Sequence, residues 1–349
     1  MRANKNLTPV CIIYSDGKRL DVEHEGALRS ITITDCLNNI STFSVIFDTA
    51  EVKIKEKGLI SSGSKLSIHL GYKDDVEEVF SGEVLSFRGM LTETGAEQLE
   101  VGGCNVLYRL NHATRFRSFE GKAPSEVLNK LIGTYSLKAD VDSFGSAKPF
   151  RSEENMTDYE YLMKQAKAYG KQVYASGSTI HVKNEISVRT DEVIYEWGKS
   201  LMSFEAAEDV SGLVTGVDYA GWDYQNENFF VGSAGLGGMP VRVGGSKFWN
   251  EVNSGSGGNL VDSRVNLNSK DSGESGQLAL GMLQNNSYNF MTAHGKGEGN
   301  YKLRPGMRVT VKMVGDSYEG EYIAEVVIHR FDYHTGYIAE FDLKRNMQV

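Results

Sequence analysis

The sequence predicts a mainly β protein with an α+β insert, in which two related β-barrel domains flank a small helical and hairpin domain. Three observations predict it. Short segments that alternate apolar and polar residues, separated by turn residues, fill the early and late parts of the chain, as the strands of barrels or sandwiches do. Apolar residues at helical spacing concentrate in one compact unit between them. A pattern of turn and strand residues recurs in the same order in both halves. The expected boundaries are 1–112 for the first barrel, 113–190 for the insert and 191–349 for the second barrel. The 349 residues suffice for two or three domains and a sizeable core.

In the first half, Val10–Tyr14 leads into Ser15-Asp16-Gly17, an aspartate-glycine signal for a tight hairpin. Ile31–Ile33 and Phe43–Phe47 are short strands, Leu66-Ser-Ile-His-Leu70 alternates strictly, and Val79–Phe87 and Gln98–Val101 follow. The insert spans Phe116 to Val182. Its first helix begins at Pro124, where a missing N–H costs nothing, and puts Val127, Leu128, Leu131 and Ile132 on one face. Thr157 and Glu160 form a capping box, each side chain satisfying a free backbone donor. The helix they open carries Leu162, Met163, Ala166 and Tyr169 on one stripe and stops at Gly170. Gln172–Val182 reads as a hairpin turning at Ser176-Gly177-Ser178.

Val193–Trp222 returns to β. Residues 232–258 hold nine glycines, which predicts a long mobile glycine-rich loop over about 225–300, with a short helix at Leu278–Leu283. Arg308–Lys312, Glu321–His329 and Tyr337–Leu343 read as strong closing strands.

The repeat aligns Gly63-Ser-Lys-Leu-Ser-Ile-His-Leu70 with Gly306-Met-Arg-Val-Thr-Val-Lys-Met313. Downstream, Phe80-Ser-Gly-Glu83 matches Tyr318-Glu-Gly-Glu321. Thr94-Gly95 with Glu97–Val101 matches Thr335-Gly336 with Ala339–Leu343. Turn residues agree as well as the alternation, so one barrel duplicated around an insert is favoured over chance similarity between amphipathic strands. A ring of three such chains would present a quasi-sixfold face while keeping threefold symmetry.

Composition excludes several classes. A net charge of −9 opposes nucleic-acid readout, which needs a basic face to displace counterions. Cys11, Cys36 and Cys104 lie far apart without a Cys-x-x-Cys, the pattern of buried thiols in a reducing compartment. The first fifteen residues lack a signal-peptide run, and no stretch approaches the roughly 20 apolar residues of a membrane span. Synthesis in the bacterial cytoplasm without membrane insertion is the expectation.

Three segments carry a resemblance. They are Thr114–Val127 with Leu131, Ile132 and Tyr135–Leu137; then Asn155–Gly170 with the hairpin ending at Ile180-His-Val182; and last Leu303-Arg-Pro-Gly306, Gly320-Glu-Tyr322, Val327-Ile-His329 and Thr335-Gly-Tyr337. In this order they resemble the late-control D protein of contractile phage tails and the hub portion of VgrG spike proteins, over nearly the whole chain except the glycine-rich loop. The resemblance implies a homotrimeric baseplate hub that matches a sixfold tail tube to a threefold spike, with partners in itself, the tube protein, a spike protein and other baseplate components. It implies that the family-signature structural residues are Phe116, Thr157, Tyr159, Leu162, Gly170, Pro305, Gly306, Gly320, Tyr322, His329, Gly336 and Tyr337. VgrG chains continue into a spike, whereas this sequence stops at Arg345–Val349, so the spike is expected as a separate protein, with the hub carried in the baseplate of a virion or tail-like particle.

No catalytic, metal or cofactor residue is assigned. His329 and His334 tend to opposite sides of their strand, and His69 lies on an alternating surface. Gly198-Lys-Ser200 lacks the upstream glycine of a phosphate loop, and Gly235-Leu-Gly-Gly238 lacks the strand-to-helix frame of a dinucleotide site. No Gly-x-Ser-x-Gly occurs. Asp74-Asp75 and Glu77-Glu78 read as a solvated turn. The leading expectation is a structural assembly protein without enzymatic activity. The alternatives are a tail-associated cell-wall hydrolase, which needs a cleft carboxylate of raised pKa, and a receptor- or carbohydrate-binding tail protein.

Overall fold

In this computed structural model, one thirteen-stranded sheet runs through both halves of the chain. The structure describes residues 8–20, 26–48, 54–55, 57–73, 75–91, 93, 97–184, 193–223, 226–252, 260–265 and 269–348. Thr94-Gly95 of the repeat, Asp74 of the acidic turn and 253–259 of the glycine-rich stretch lie outside them.

The first half contributes β1 (Pro9–Ser15), β2 (Lys18–Arg19), β3 (Leu28–Cys36), β4 (Thr42–Asp48), β5 (Lys65–Tyr72), β6 (Asp75–Leu91) and β7 (Glu97–Cys104). Asp16 and Gly17 turn the β1–β2 hairpin with φ of 49° and 79°, the paired positive values that Asp-Gly favours. The insert holds β8 (Thr114–Phe119), α1 (Pro124–Gly133), β9 (Lys138–Val141), β10 (Arg151–Thr157), α2 (Asp158–Ala168) and the hairpin β11 (Gln172–Ser176) and β12 (Thr179–Lys183). The second half contributes β13 (Val193–Glu196), β14 (Leu201–Glu208), β15 (Gly216–Asp223), β16 (Asn228–Gly235), β17 (Val261–Val265), α3 (Ser272–Ser287), β18 (Met291–Glu298), β19 (Arg308–Lys312), β20 (Gly320–Asp332) and β21 (Gly336–Arg345). The chain is mainly β, as its alternation requires.

The duplication is visible strand by strand. The order β3-β4-β7-β6-β5-β1 in the first half becomes β14-β18-β21-β20-β19-β13 in the second. Registers coincide as well. Val84 faces Gly103 where Ala324 faces Leu343, and Leu91 faces Glu97 where Phe331 faces Tyr337. Bulges fall at matching places, between Val84 and Ser86 and between Ala324 and Val326. One difference stands out: β1 runs antiparallel to β5, whereas β13 runs parallel to β19. The repeat read from sequence paired the right strands, but two residues out of register on β20 and again on β21, where Glu97 corresponds to Tyr337 rather than Ala339. Leu66 faces Gly82, and its counterpart Val309 faces Tyr322 rather than Gly320. A slip of two residues keeps every side chain on its face, so alternation cannot detect it.

The two barrels are fused through β20. This strand pairs with β19 up to Ile323, bulges, and then pairs with β3 from Val326–Cys36 to Asp332–Ser30. Phe331, Tyr337 and Tyr301 from the second half are thereby buried in the first barrel's core with Ile13, Ile31 and Val45.

The expected loop over 225–300 is corrected. It contains β16, β17, α3 and β18. β15, β16 and β17 form a separate three-stranded sheet, and α3 packs on it around Val217, Ala279 and Leu283. The predicted Leu278–Leu283 helix is the centre of a sixteen-residue helix. The glycines here permit close approach. A Cβ on Gly232 would lie 2.5 Å from the Ser272 carbonyl oxygen, and one on Gly281 would lie 2.6 Å from the Gly170 nitrogen. α3 also lends Leu278 to the core of the insert, beside Leu162, Ala166 and Val127.

Candidate assembly surface

The residues implied by the resemblance are spread through the molecule. Phe116 is exposed on β8. Thr157 caps α2: its hydroxyl accepts from Glu160 N at 3.1 Å, and its own N–H donates to Glu160 Oε2 at 2.7 Å. Tyr159 OH donates to Asn39 Oδ1 at 3.3 Å. Leu162 is fully buried. Gly170 leaves the helix at φ 66°, close against Gly281. Pro305 lines a cavity, and the N–H of Gly306 donates to Ala324 O at 2.6 Å. Gly320 opens β20 at φ 114°. Tyr322 OH donates to Tyr318 O at 2.6 Å, and the buried Arg345 guanidinium sits 4.7 Å from the Tyr322 ring centre.

His329, Gly336 and Tyr337 do come together, at the joint between the barrels. A 2.8 Å hydrogen bond joins Tyr337 OH to His329 Nδ1, and Tyr72 OH from the first barrel donates to Tyr337 O at 3.3 Å. Burial, reinforced by nearby Arg304, lowers the His329 pKa to about 3, so the ring is neutral in ordinary buffers. Gly336 makes the turn with φ 80°, beside Pro9.

Chemistry-bearing clusters resolve into structural ties. Among the described residues no group of His, Cys, Asp and Glu is arranged to hold a metal. A cavity of about 200 Å³ opens between the β11–β12 hairpin and the barrels. On its wall Arg304 reaches Asp35 at 3.4 Å and the Glu78 carbonyl at 2.8 Å. Glu274 is fully buried on α3 and pinned to the insert by Lys148 (3.0 Å), Arg151 (3.1 Å) and Tyr169 OH (2.7 Å). Asp158 takes Arg117 at 2.6 Å and Tyr135 OH at 2.5 Å.

Beside that pair, Glu153 is fully buried and its carboxylate has no hydrogen-bond partner among the described residues; Arg117 stands 3.7 Å away. Burial first, then the Asp158 charge, push its pKa from 4.5 up to about 7. The folded protein therefore holds this proton more tightly than the unfolded chain. The stability it confers is complete below about pH 4.5 and is lost as pH rises through 7. Glu153→Gln is expected to flatten that slope and to raise stability at pH 8 by roughly 1–3 kcal/mol. Urea melts of both proteins at pH 5 and pH 8 measure it; parallel slopes would contradict the assignment. The cluster was not legible in the run Arg151-Ser-Glu-Glu154, which looks like a solvated face.

Among the strand edges without a partner in the described residues, two belong to the duplicated sheet at equivalent places. One is the side of β6 away from β7, over Ser86–Leu91; the other is the side of β14 away from β18, over Ser203–Glu208. Leu85 and Leu91 are exposed on β6, and Met202 on β14, with Trp197 nearby. Unpaired edges of this kind invite pairing with another chain.

Solved structures share this architecture. A tail protein from Neisseria meningitidis MC58 superposes with a TM-score of 0.68 at 13% identity, covering 97% of each chain. The 43 kDa tail protein of prophage MuSo2 from Shewanella oneidensis gives 0.69 at 14% identity, covering 97% of this chain and 99% of the other. An E. coli component of the type VI secretion system, described as structurally similar to the T4 tail proteins gp27 and gp5, gives 0.62 at 9% identity, covering 95% and 76%. The chain therefore has a tail-protein fold, the class to which its signature segments pointed. More particularly, residues 6–332 match the Alg8 N-terminal domain family, and the chain belongs to it. No curated protein matches the sequence. Among the described residues no helix is long and apolar enough to cross a membrane.

Proposed function

We propose that the protein is the structural hub of a contractile tail or injection-particle baseplate, a homotrimeric ring that adapts a sixfold tail tube to a threefold spike. The observation that carries this reading is the duplication of one strand order and register within a single chain, which lets three chains offer six similar barrels. The partners are further copies of itself, the tube protein, a spike protein and other baseplate components, and the work is done by shape and symmetry. The hydrolase alternative finds no support in Glu153, whose raised carboxylate is sealed from any substrate. Light scattering on the purified protein, alone and with its spike, is expected to give three copies of the 38.5 kDa chain. A strict monomer or dimer with the spike bound would overturn the reading.

A further inference from the structure

We infer that neighbouring chains join by antiparallel pairing of the free edge of β6 in one copy with the free edge of β14 in the next, in the register of the β20–β3 joint within each chain. The inference rests on the trimeric hub reading. Under the duplication, β6 is the counterpart of β20 and β14 the counterpart of β3. Inside the chain β20 and β3 are paired; among the described residues the corresponding edges of their counterparts β6 and β14 are open. Repeating the joint between copies closes both.

The register follows from the matched pairings. Phe331 faces Ile31 in the existing joint and His329 faces Ile33. Phe331 corresponds to Leu91 through the β6–β7 and β20–β21 ladders, and Ile31 corresponds to Phe204 through β3–β4 and β14–β18. Leu91 should therefore face Phe204, Gly89 should face Ala206, and Arg88 should face Ala207. Exposure agrees with a joint waiting for its partner: Phe331 is 1% exposed and Leu91 79%. Charge agrees too. The register sets Arg88, which pairs with Glu100 on β7 within its own chain, diagonally beside Glu205 and Asp209, within reach to share that charge across the strands.

The test is a full-length Gly89→Cys/Ala206→Cys variant. A side chain at Gly89 meets nothing within 4 Å, so the fold should accept it. Residues directly opposite in an antiparallel pair lie near 5 Å apart (Cα to Cα), within disulfide reach. After mild oxidation, non-reducing gels should show covalent two- and three-chain species. The single variants, the wild type with its native cysteines, and the offset pair Gly89→Cys/Phe204→Cys should not form them. Ala206→Pro should keep the thermal melt of the single chain while its mass falls from trimer to monomer. A trimer whose Gly89/Ala206 pair cross-links no better than the offset pair overturns this joint and leaves the hub reading standing. A chain that stays monomeric under every condition, spike included, overturns both.

Discussion

Replacing Gly281 with valine should destabilise the protein by about 3 kcal/mol or more, although valine is the better helix former by a few tenths of a kcal/mol. The two effects oppose each other and packing decides between them. A Cβ at 281 would lie 2.6 Å from Ala168 O, Tyr169 C and Gly170 N. All three are backbone atoms of the C-terminal end of α2, so no rotamer change relieves the clash. Gly170 itself cannot give way, because it sits at φ 66° and its own missing Cβ faces Gly281 Cα at 2.8 Å. The helices must separate, which opens the insert core around Leu162 and Leu278 and loosens Glu274 from Lys148 and Arg151. Gly133→Ala, at the end of α1 with nothing within 4 Å, should be neutral. Thermal melts of the two variants give the comparison; equal melting temperatures would mean that α2 and α3 do not meet as described.

The same contact shows where sequence reading succeeds and where it stops. Strands such as Leu66–Leu70 were legible because half-buried strands impose a period of two that the residues themselves carry. Capping at Thr157 was legible because it is local, spanning three residues. α3 was misread because Gly273, Gly276 and Gly281 weaken the helical signal, and the close approaches at Gly276 and Gly281 are to β16 and α2, far away in sequence. A local clue existed in Asp271-Ser-Gly-Glu274: the Asp271 side chain accepts from Glu274 N at 2.8 Å and starts the helix. Strand order was not legible; the repeat implied only that the two halves would share one. The placement of Glu153, Asp158 and Arg117 in one buried cluster depends on β8, β10 and α2 converging, which no pattern within any one of them announces.

Phe331→Ala and Leu91→Ala form the second large contrast, because the duplication puts these residues at the same place in the two barrels. Phe331 is buried in the first barrel's core although it belongs to the second half, so its removal leaves a cavity where the two halves meet. Truncation should cost roughly 3–5 kcal/mol and weaken the coupling of the barrels. Calorimetry should then resolve two transitions or a broadened one. Leu91 is 79% exposed in the single chain, and its truncation should change stability by no more than about 0.5 kcal/mol. Its effect should appear in mass measurements at graded concentration, as a weaker assembly. A Leu91→Ala melt that falls as far as that of Phe331→Ala would show the β6 edge to be covered already within one chain. A neutral Phe331→Ala would show that β20 and β3 do not hold the barrels together. The two substitutions thus separate the energy of the joint made inside the chain from that of the joint made between chains, although the strand geometry on which they rest is the same.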